Sequence, residues 1–150
     1  MRKVLLLSYA VALGFFCGCG QNTGNELDNY DALAAVPSAK YLAVYEQDTA
    51  WLSLIKKGPK VEGNLRFKYS NGIRQQGTFK GLFRGDTLFA DYHYKGQNGQ
   101  WQRNPIALLK TGGQLQMGVG QREFAWGRTY FTKNVPIDFE KGRFVFVKKD

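Results

Sequence analysis

The stretch VEGNLRFKYSNGIRQQGTFKGLFRGDTLFADYHYKG, Val61 to Gly96, holds three runs of alternating character, separated by the turn signals Ser70-Asn71-Gly72 and Arg84-Gly85-Asp86. In the first run Val61, Gly63, Leu65, Phe67 and Tyr69 recur at every second position, with Glu62, Asn64, Arg66 and Lys68 between them. Successive side chains of a strand point to opposite faces, so this period describes a strand with one buried and one wet side. A helix would space its apolar residues three and four apart. The second run puts Ile73, Gly77, Phe79 and Phe83 on one face, interrupted by Gln75. Glycines inside a strand, here Gly77 and Gly81, mark bulges or sharp curvature. The third run sets Leu88, Ala90, Tyr92 and Tyr94 against Thr87, Phe89, Asp91 and His93. Short turns make sequence neighbours into sheet neighbours, and the stretch predicts a three-stranded antiparallel meander.

The same pattern extends in both directions. Tyr41 to Glu46 and Thr49 to Lys56 read as a hairpin split at Gln47-Asp48, and Lys57-Gly58-Pro59-Lys60 turns into the meander. Beyond Gln97-Asn98-Gly99, Trp101 to Lys110 reads as a strand in which Pro105 calls for an edge or a bulge. Thr111-Gly112-Gly113 leads to Leu115, Met117 and Val119. Phe124 to Phe131 reads as one further strand of blurred period, Asn134 to Gly142 as a loop, and Arg143 to Lys149 as the closing strand. About eight or nine short strands without a convincing helix predict an all-β fold: a small antiparallel β-barrel with a lipocalin- or streptavidin-like meander, or a strongly curved sandwich. A barrel of about eight strands is either filled by its side chains or holds one small ligand. The residues expected to line that interior are Leu65, Phe67, Tyr69, Phe79, Leu88, Tyr92 and Tyr94, with Trp51, Trp101 and Trp126 as further aromatic candidates.

The chain starts MRKVLLLSYAVALGFFCGCG, in which Arg2 and Lys3 precede a mostly apolar run from Val4 to Phe16. That run is too short for a transmembrane helix, which needs about 20 apolar residues, and it has the form of an export signal. Cys17 and Cys19 follow it directly. A cysteine in this place resembles a bacterial lipoprotein signal, and the resemblance implies that Cys19, preceded by the small Gly18, is lipidated and becomes the mature N-terminus. The expected organisation is a lipoprotein signal peptide over residues 1–18, a lipidated acidic tether over 19–39 containing Glu26, Asp28 and Asp31, and a β-barrel-like domain over 40–150. No cysteine lies beyond Cys19, so the domain must be stabilised by its core rather than by disulfides or a thiolate metal site.

The chain has 21 basic and 12 acidic residues, a net charge of +9. Both acidic tether and basic leader fall outside the domain, which is therefore strongly basic by itself. Such charge draws a domain towards anionic surfaces. An anionic envelope surface or a small amphipathic ligand is the expected partner, besides the membrane reached through the N-terminal lipid; nucleic acid is not expected. The basic residues are spread over nearly every strand.

No catalytic or metal-binding set stands out, and no cofactor is expected. His93 is the single histidine and shares a face with Asp91, but it has no second histidine or cysteine to complete a site. Glu62, Asp86 and Asp91 are carboxylates available for acid–base work that nothing in the sequence pairs. Arg84-Gly85-Asp86 spells an adhesion tripeptide where a turn is needed.

The segments Val61-Glu62-Gly63-Asn64-Leu65, Gly77-Thr78-Phe79-Lys80-Gly81, Gly85-Asp86-Thr87-Leu88-Phe89-Ala90-Asp91-Tyr92 and Ala107-Leu108-Leu109-Lys110 resemble a family of small uncharacterised lipoproteins of Bacteroidetes. The similarity covers most of Tyr41 to Gly120. It implies a β-barrel-like domain, an outer-membrane address, and O-glycosylation of Thr49 and Thr87 in Asp48-Thr49-Ala50 and Asp86-Thr87-Leu88; it implies no activity. The expected function is a lipid-anchored, non-enzymatic binding or structural module of the cell envelope. The alternatives are an envelope lipoprotein that inhibits a cell-wall hydrolase, or a carboxylate-dependent glycan hydrolase.

Overall fold

The computed structural model describes residues 39–149. Ten strands follow in order: β1 (Ala39–Tyr45), β2 (Asp48–Lys57), β3 (Lys60–Lys68), β4 (Arg74–Arg84), β5 (Thr87–Lys95), β6 (Trp101–Thr111), β7 (Gln114–Met117), β8 (Arg122–Ala125), β9 (Arg128–Phe131) and β10 (Val145–Lys149). Eight of them close a barrel in the order β1-β10-β7-β6-β5-β4-β3-β2, and β8 and β9 form a separate hairpin. The period-two runs thus resolve to a barrel rather than a sandwich. In the meander the registers are Glu62↔Lys80 and Lys80↔Asp91, so the polar residues of three strands share the outer face.

Two glycines let this sheet coil tightly. A Cβ on Gly77 would run into the carbonyl oxygen of His93, and one on Gly81 into that of Phe89. Both residues face inward, where the coiled backbone of β5 leaves no room for a side chain. Pro105 is tolerated for a different reason. The N–H and C=O of a strand residue lie on the same edge, and Ala107 C=O accepts from Gly118 N–H at 2.9 Å on the β7 side. Pro105, two residues earlier, faces that same edge, but β7 pairs only with Leu108 to Thr111. Its missing N–H falls where β6 is locally an edge.

Phe79, Tyr92, Phe146, Leu52, Leu65, Leu88 and Leu108 are the largest fully buried side chains. Burying each apolar side chain of this kind stabilises the fold by roughly 1.5–3 kcal/mol. The seam is made by β10, which meets β1 over Lys40↔Lys149, Tyr41↔Lys148 and Leu42↔Val147 and β7 over Val145↔Gln116 and Phe146↔Leu115. So few ladder pairs need help from packing, and Phe144 and Phe146 supply it from inside. The ring closes within residues 39–149 and carries its own core.

The up-and-down path places alternate turns at opposite ends. The β2–β3, β4–β5 and β6–β7 turns, the start of β1 and the end of β10 share the entry end. The β1–β2, β3–β4 and β5–β6 turns and the long β7–β10 connection share the far end. There Asp48, only 8% exposed, accepts from Ser70 N–H at 2.8 Å and lies 3.7 Å from the Arg143 guanidinium. One carboxylate therefore ties the β1–β2 and β3–β4 turns to the segment that leads into β10.

The C-terminal third departs from the sequence expectation. Phe124 to Phe131 is not one strand but a hairpin turning at Trp126-Gly127, with φ of 54° and 73°. Two residues of positive φ are what a type I′ two-residue hairpin loop requires, and Gly127 supplies one of them at no steric cost. The Leu115–Val119 run is shortened to Gln114–Met117, because Val119 leaves the barrel to bridge Asp138.

Candidate functional site

The interior is a packed core. Leu65, Phe67, Phe79, Leu88, Tyr92 and Tyr94 are buried and Tyr69 is half-buried. The rings meet one another: Phe67 stacks on Tyr69 at 5.7 Å between centroids, meets Tyr92 edge-on at 6.1 Å and Phe144 at 5.3 Å, and Tyr92 stacks on Tyr94 at 4.9 Å. These are ordinary aromatic packing distances. The polar tips are satisfied as well. Tyr92 Oη–H donates to Leu65 C=O at 2.9 Å, and burial pushes its pKa far above the usual phenol value. Tyr94 Oη–H donates to Gln102 Oε1 at 2.7 Å and accepts from Asn104 Nδ2 at 2.8 Å. Burial also raises the pKa of Tyr69, opposed by the nearby Arg143 guanidinium. Gln75, the residue that interrupts the apolar face, bonds the Tyr69 hydroxyl at 3.5 Å. The residues expected to line the interior do face it, and they fill it with each other.

All three tryptophans lie outside the core, contrary to the expectation that they add to an interior lining. Trp51 alternates with Leu52 and Leu54 onto the outer face, where the Arg66 guanidinium covers its ring at 4.3 Å. Trp101 is 59% exposed and Trp126 94% exposed. The parity of Trp51 against its inward neighbours was legible in the sequence; the placement of Trp126 was not.

The carboxylates are not brought to one cleft. Glu62 binds Lys57 at 3.1 Å, and Asp86 sits in the β4–β5 turn. Asp91 lies on the outer face, where a single oxygen, Oδ2, accepts from both Arg103 and Arg128, the latter at 2.9 Å. His93 pairs with Trp101, ring centroids 4.5 Å apart, rather than with Asp91. Among the described residues no group of three His, Cys, Asp or Glu could hold a metal. Thr49 and Thr87 are half-buried, paired strand residues on the outer face, at the far and entry ends respectively. Cys19 lies outside the described residues.

What the tertiary structure adds is the β8–β9 hairpin. It lies against the outer face of β5 and β6, with Arg128, Thr129, Tyr130 and Phe131 bordering a 360 Å³ groove opposite Phe89 and Pro105. The Arg128–Asp91–Arg103 bridge ties it there. Beyond that bridge the hairpin exposes Phe124 (76%) and Trp126. A bulky residue at positive φ is an outlier, and nothing buried compensates the strain at Trp126. Asn or Gly is the preferred residue in that place; Glu46 in the β1–β2 turn holds a similar φ of 53°, so what sets Trp126 apart is its size and exposure together with that conformation. The only sequence trace of this element was the blurred period of Phe124 to Phe131.

No family model, no curated protein and no solved structure matches this chain.

Proposed function

We propose that this chain is a lipid-anchored cell-envelope protein, held at a membrane through Cys19, whose barrel is a rigid, non-enzymatic scaffold for binding a glycan or protein partner of the envelope. The β8–β9 hairpin makes the contact. The observation that carries the proposal is the strained, almost fully exposed Trp126 on a hairpin pinned to a filled barrel. Strain kept at a solvent-facing aromatic points to selection for contact rather than for stability. Tryptophan and arginine are the side chains most enriched at binding hot spots, and Arg128 stands two residues after Trp126, next to the turn. A filled interior supports a surface contact rather than an enclosed ligand. The outer-membrane address and the Bacteroidetes kinship rest on the sequence resemblance and belong to the same proposal.

The test is a photo-crosslinking residue at position 124 in intact cells, next to Trp126. One discrete adduct that disappears when Trp126→Asn is added supports the proposal. No adduct, or one indifferent to Trp126, removes the hairpin as the contact. Incorporation of labelled palmitate, lost in Cys19→Ser, tests the anchor separately.

A further inference from the structure

We propose that the entry end of the barrel is a docking surface for the anionic head groups of a lipid bilayer. The inference rests on the envelope placement above only for the identity of the surface; its geometry is independent of it.

Basic residues that look scattered in the sequence meet at this end because every second turn returns there. Lys56, Lys110 and Lys148 occupy inward-facing registers, opposite Val61, Leu115 and Tyr41, just past the last layer of core. All three are exposed, and the Lys56 ammonium lies over the Phe83 ring at 5.3 Å from its centroid. A lysine so placed lays its apolar stem on the core and carries its charge out of the mouth. Lys57, Lys60 and Lys149 continue the collar on the outer side.

Two ladder pairs here oppose like charges, Lys57↔Lys60 and Lys40↔Lys149. Like charges directly across a ladder destabilise a sheet. Among the described residues only Lys57 of this collar finds a carboxylate, Glu62 at 3.1 Å; Lys56, Lys60, Lys110, Lys148 and Lys149 form no ion pair. The far end has a like-charge pair of its own, Lys68↔Arg74, and its Lys68, Arg74 and Lys95 form no ion pair among the described residues either, but its Arg143 is matched by Asp48 and its cations do not stand at inward-facing registers over the core in the way of Lys56, Lys110 and Lys148. An end whose lysines outnumber its carboxylates Glu62 and Asp86, and whose like-charge pairs cost the fold stability, is explained by an anionic partner outside it.

Two further observations select a bilayer over a soluble polyanion. Beside the collar, on the outside of β2 to β4, Ile55 and Leu82 give an apolar floor to a concavity of about 420 Å³ that Lys57, Lys60 and Lys80 border together with Glu62, the partner of Lys57. Apolar floor beneath a rim of three lysines and one carboxylate matches the boundary between head groups and acyl chains. The chain also enters the barrel on this end, at Ala39, about 20 residues after Cys19. The entry end is therefore the end of the barrel joined by the shorter path of chain to a lipidated Cys19.

The experiment uses residues 39–150, which contain the closed ring and lack both leader and tether, so that binding reports the barrel alone. Partition is measured onto phosphatidylcholine vesicles with and without phosphatidylglycerol, at low and high salt. The expected result is binding only to the phosphatidylglycerol vesicles, weakened by salt. Each lysine near an anionic surface contributes about fivefold, so Lys56→Gln with Lys110→Gln and Lys148→Gln should weaken partition about a hundredfold. A far-end triple of equal charge change, Lys68→Gln with Arg74→Gln and Lys95→Gln, should weaken it by less than tenfold. Thermal melts confirm that both variants fold. Equal losses for the two triples would reduce the effect to net charge and overturn the proposal. So would equal binding to both vesicle types, or no binding to either. A soluble acidic polysaccharide that binds with the same lysine dependence while vesicles do not would also overturn it. Failure of palmitate labelling at Cys19 would instead remove the anchor and leave the vesicle result standing.

Discussion

Replacing Trp126 by asparagine should make this protein more stable while removing its proposed contact. Trp126 holds φ at 54° in the first position of a two-residue turn, followed by Gly127 at 73°. The left-handed region costs an L-residue roughly 1–2 kcal/mol, and asparagine, whose short polar side chain bonds locally, escapes most of that. Against this stands the apolar burial lost with the indole. The ring is 94% exposed, so of a tryptophan's surface only about 15 Å² is covered, worth about 0.4 kcal/mol at 25 cal/mol per Å². The difference favours the variant by about 1 kcal/mol. It should appear in the urea midpoint if the hairpin unfolds with the barrel. It should appear as slower amide exchange over Arg122–Phe131 if the hairpin opens alone. A variant less stable than the parent, by either readout, would refute the strain argument. Trp126 would then be a packing residue, and the case for the hairpin as a contact element would fall with it.

Three other perturbations follow from the same geometry. Asp91→Ala should leave the urea midpoint almost unchanged, because Asp91, Arg103 and Arg128 are a third or more exposed and such pairs contribute about 0–1 kcal/mol; amide exchange in β8 and β9 should nevertheless speed up several-fold. Asp48→Ala should cost about 1.5–3 kcal/mol in equilibrium unfolding, since it orphans the Ser70 N–H and strips Arg143 of its partner, whereas Asp48→Asn should cost clearly less. Stability should fall as pH rises above about 10. The raised pKa of Tyr92 and Tyr69 means that the unfolded chain loses those protons first. The fall should be up to about 1.4 kcal/mol per pH unit for each tyrosine, and Tyr92→Phe should flatten it in alkaline urea titrations.

The barrel was legible because its signals are local. A period of two in Val61 to Tyr69 sets which side chains share a face, and turn glycines such as Gly72 and Gly85, both at positive φ, set where the chain reverses. Neither requires knowledge of distant residues, so the meander strands, the interior parity of Leu65, Phe67, Tyr92 and Tyr94, and an all-β barrel or curved sandwich follow from the sequence; that the sheet closes into a ring was decided by the tertiary structure. The candidate site was not legible, and the reason is again physical. Whether Trp126 belongs to a barrel strand or to a hairpin outside it depends on β10 returning to pair with β7 and close the ring without residues 118–144. That choice is made by the packing of Phe144 and Phe146 against a core assembled from the other end of the chain. The lysine collar has the same origin. Lys56, Lys110 and Lys148 are far apart in sequence, and only ring closure, by returning alternate strand ends to one rim, makes them neighbours.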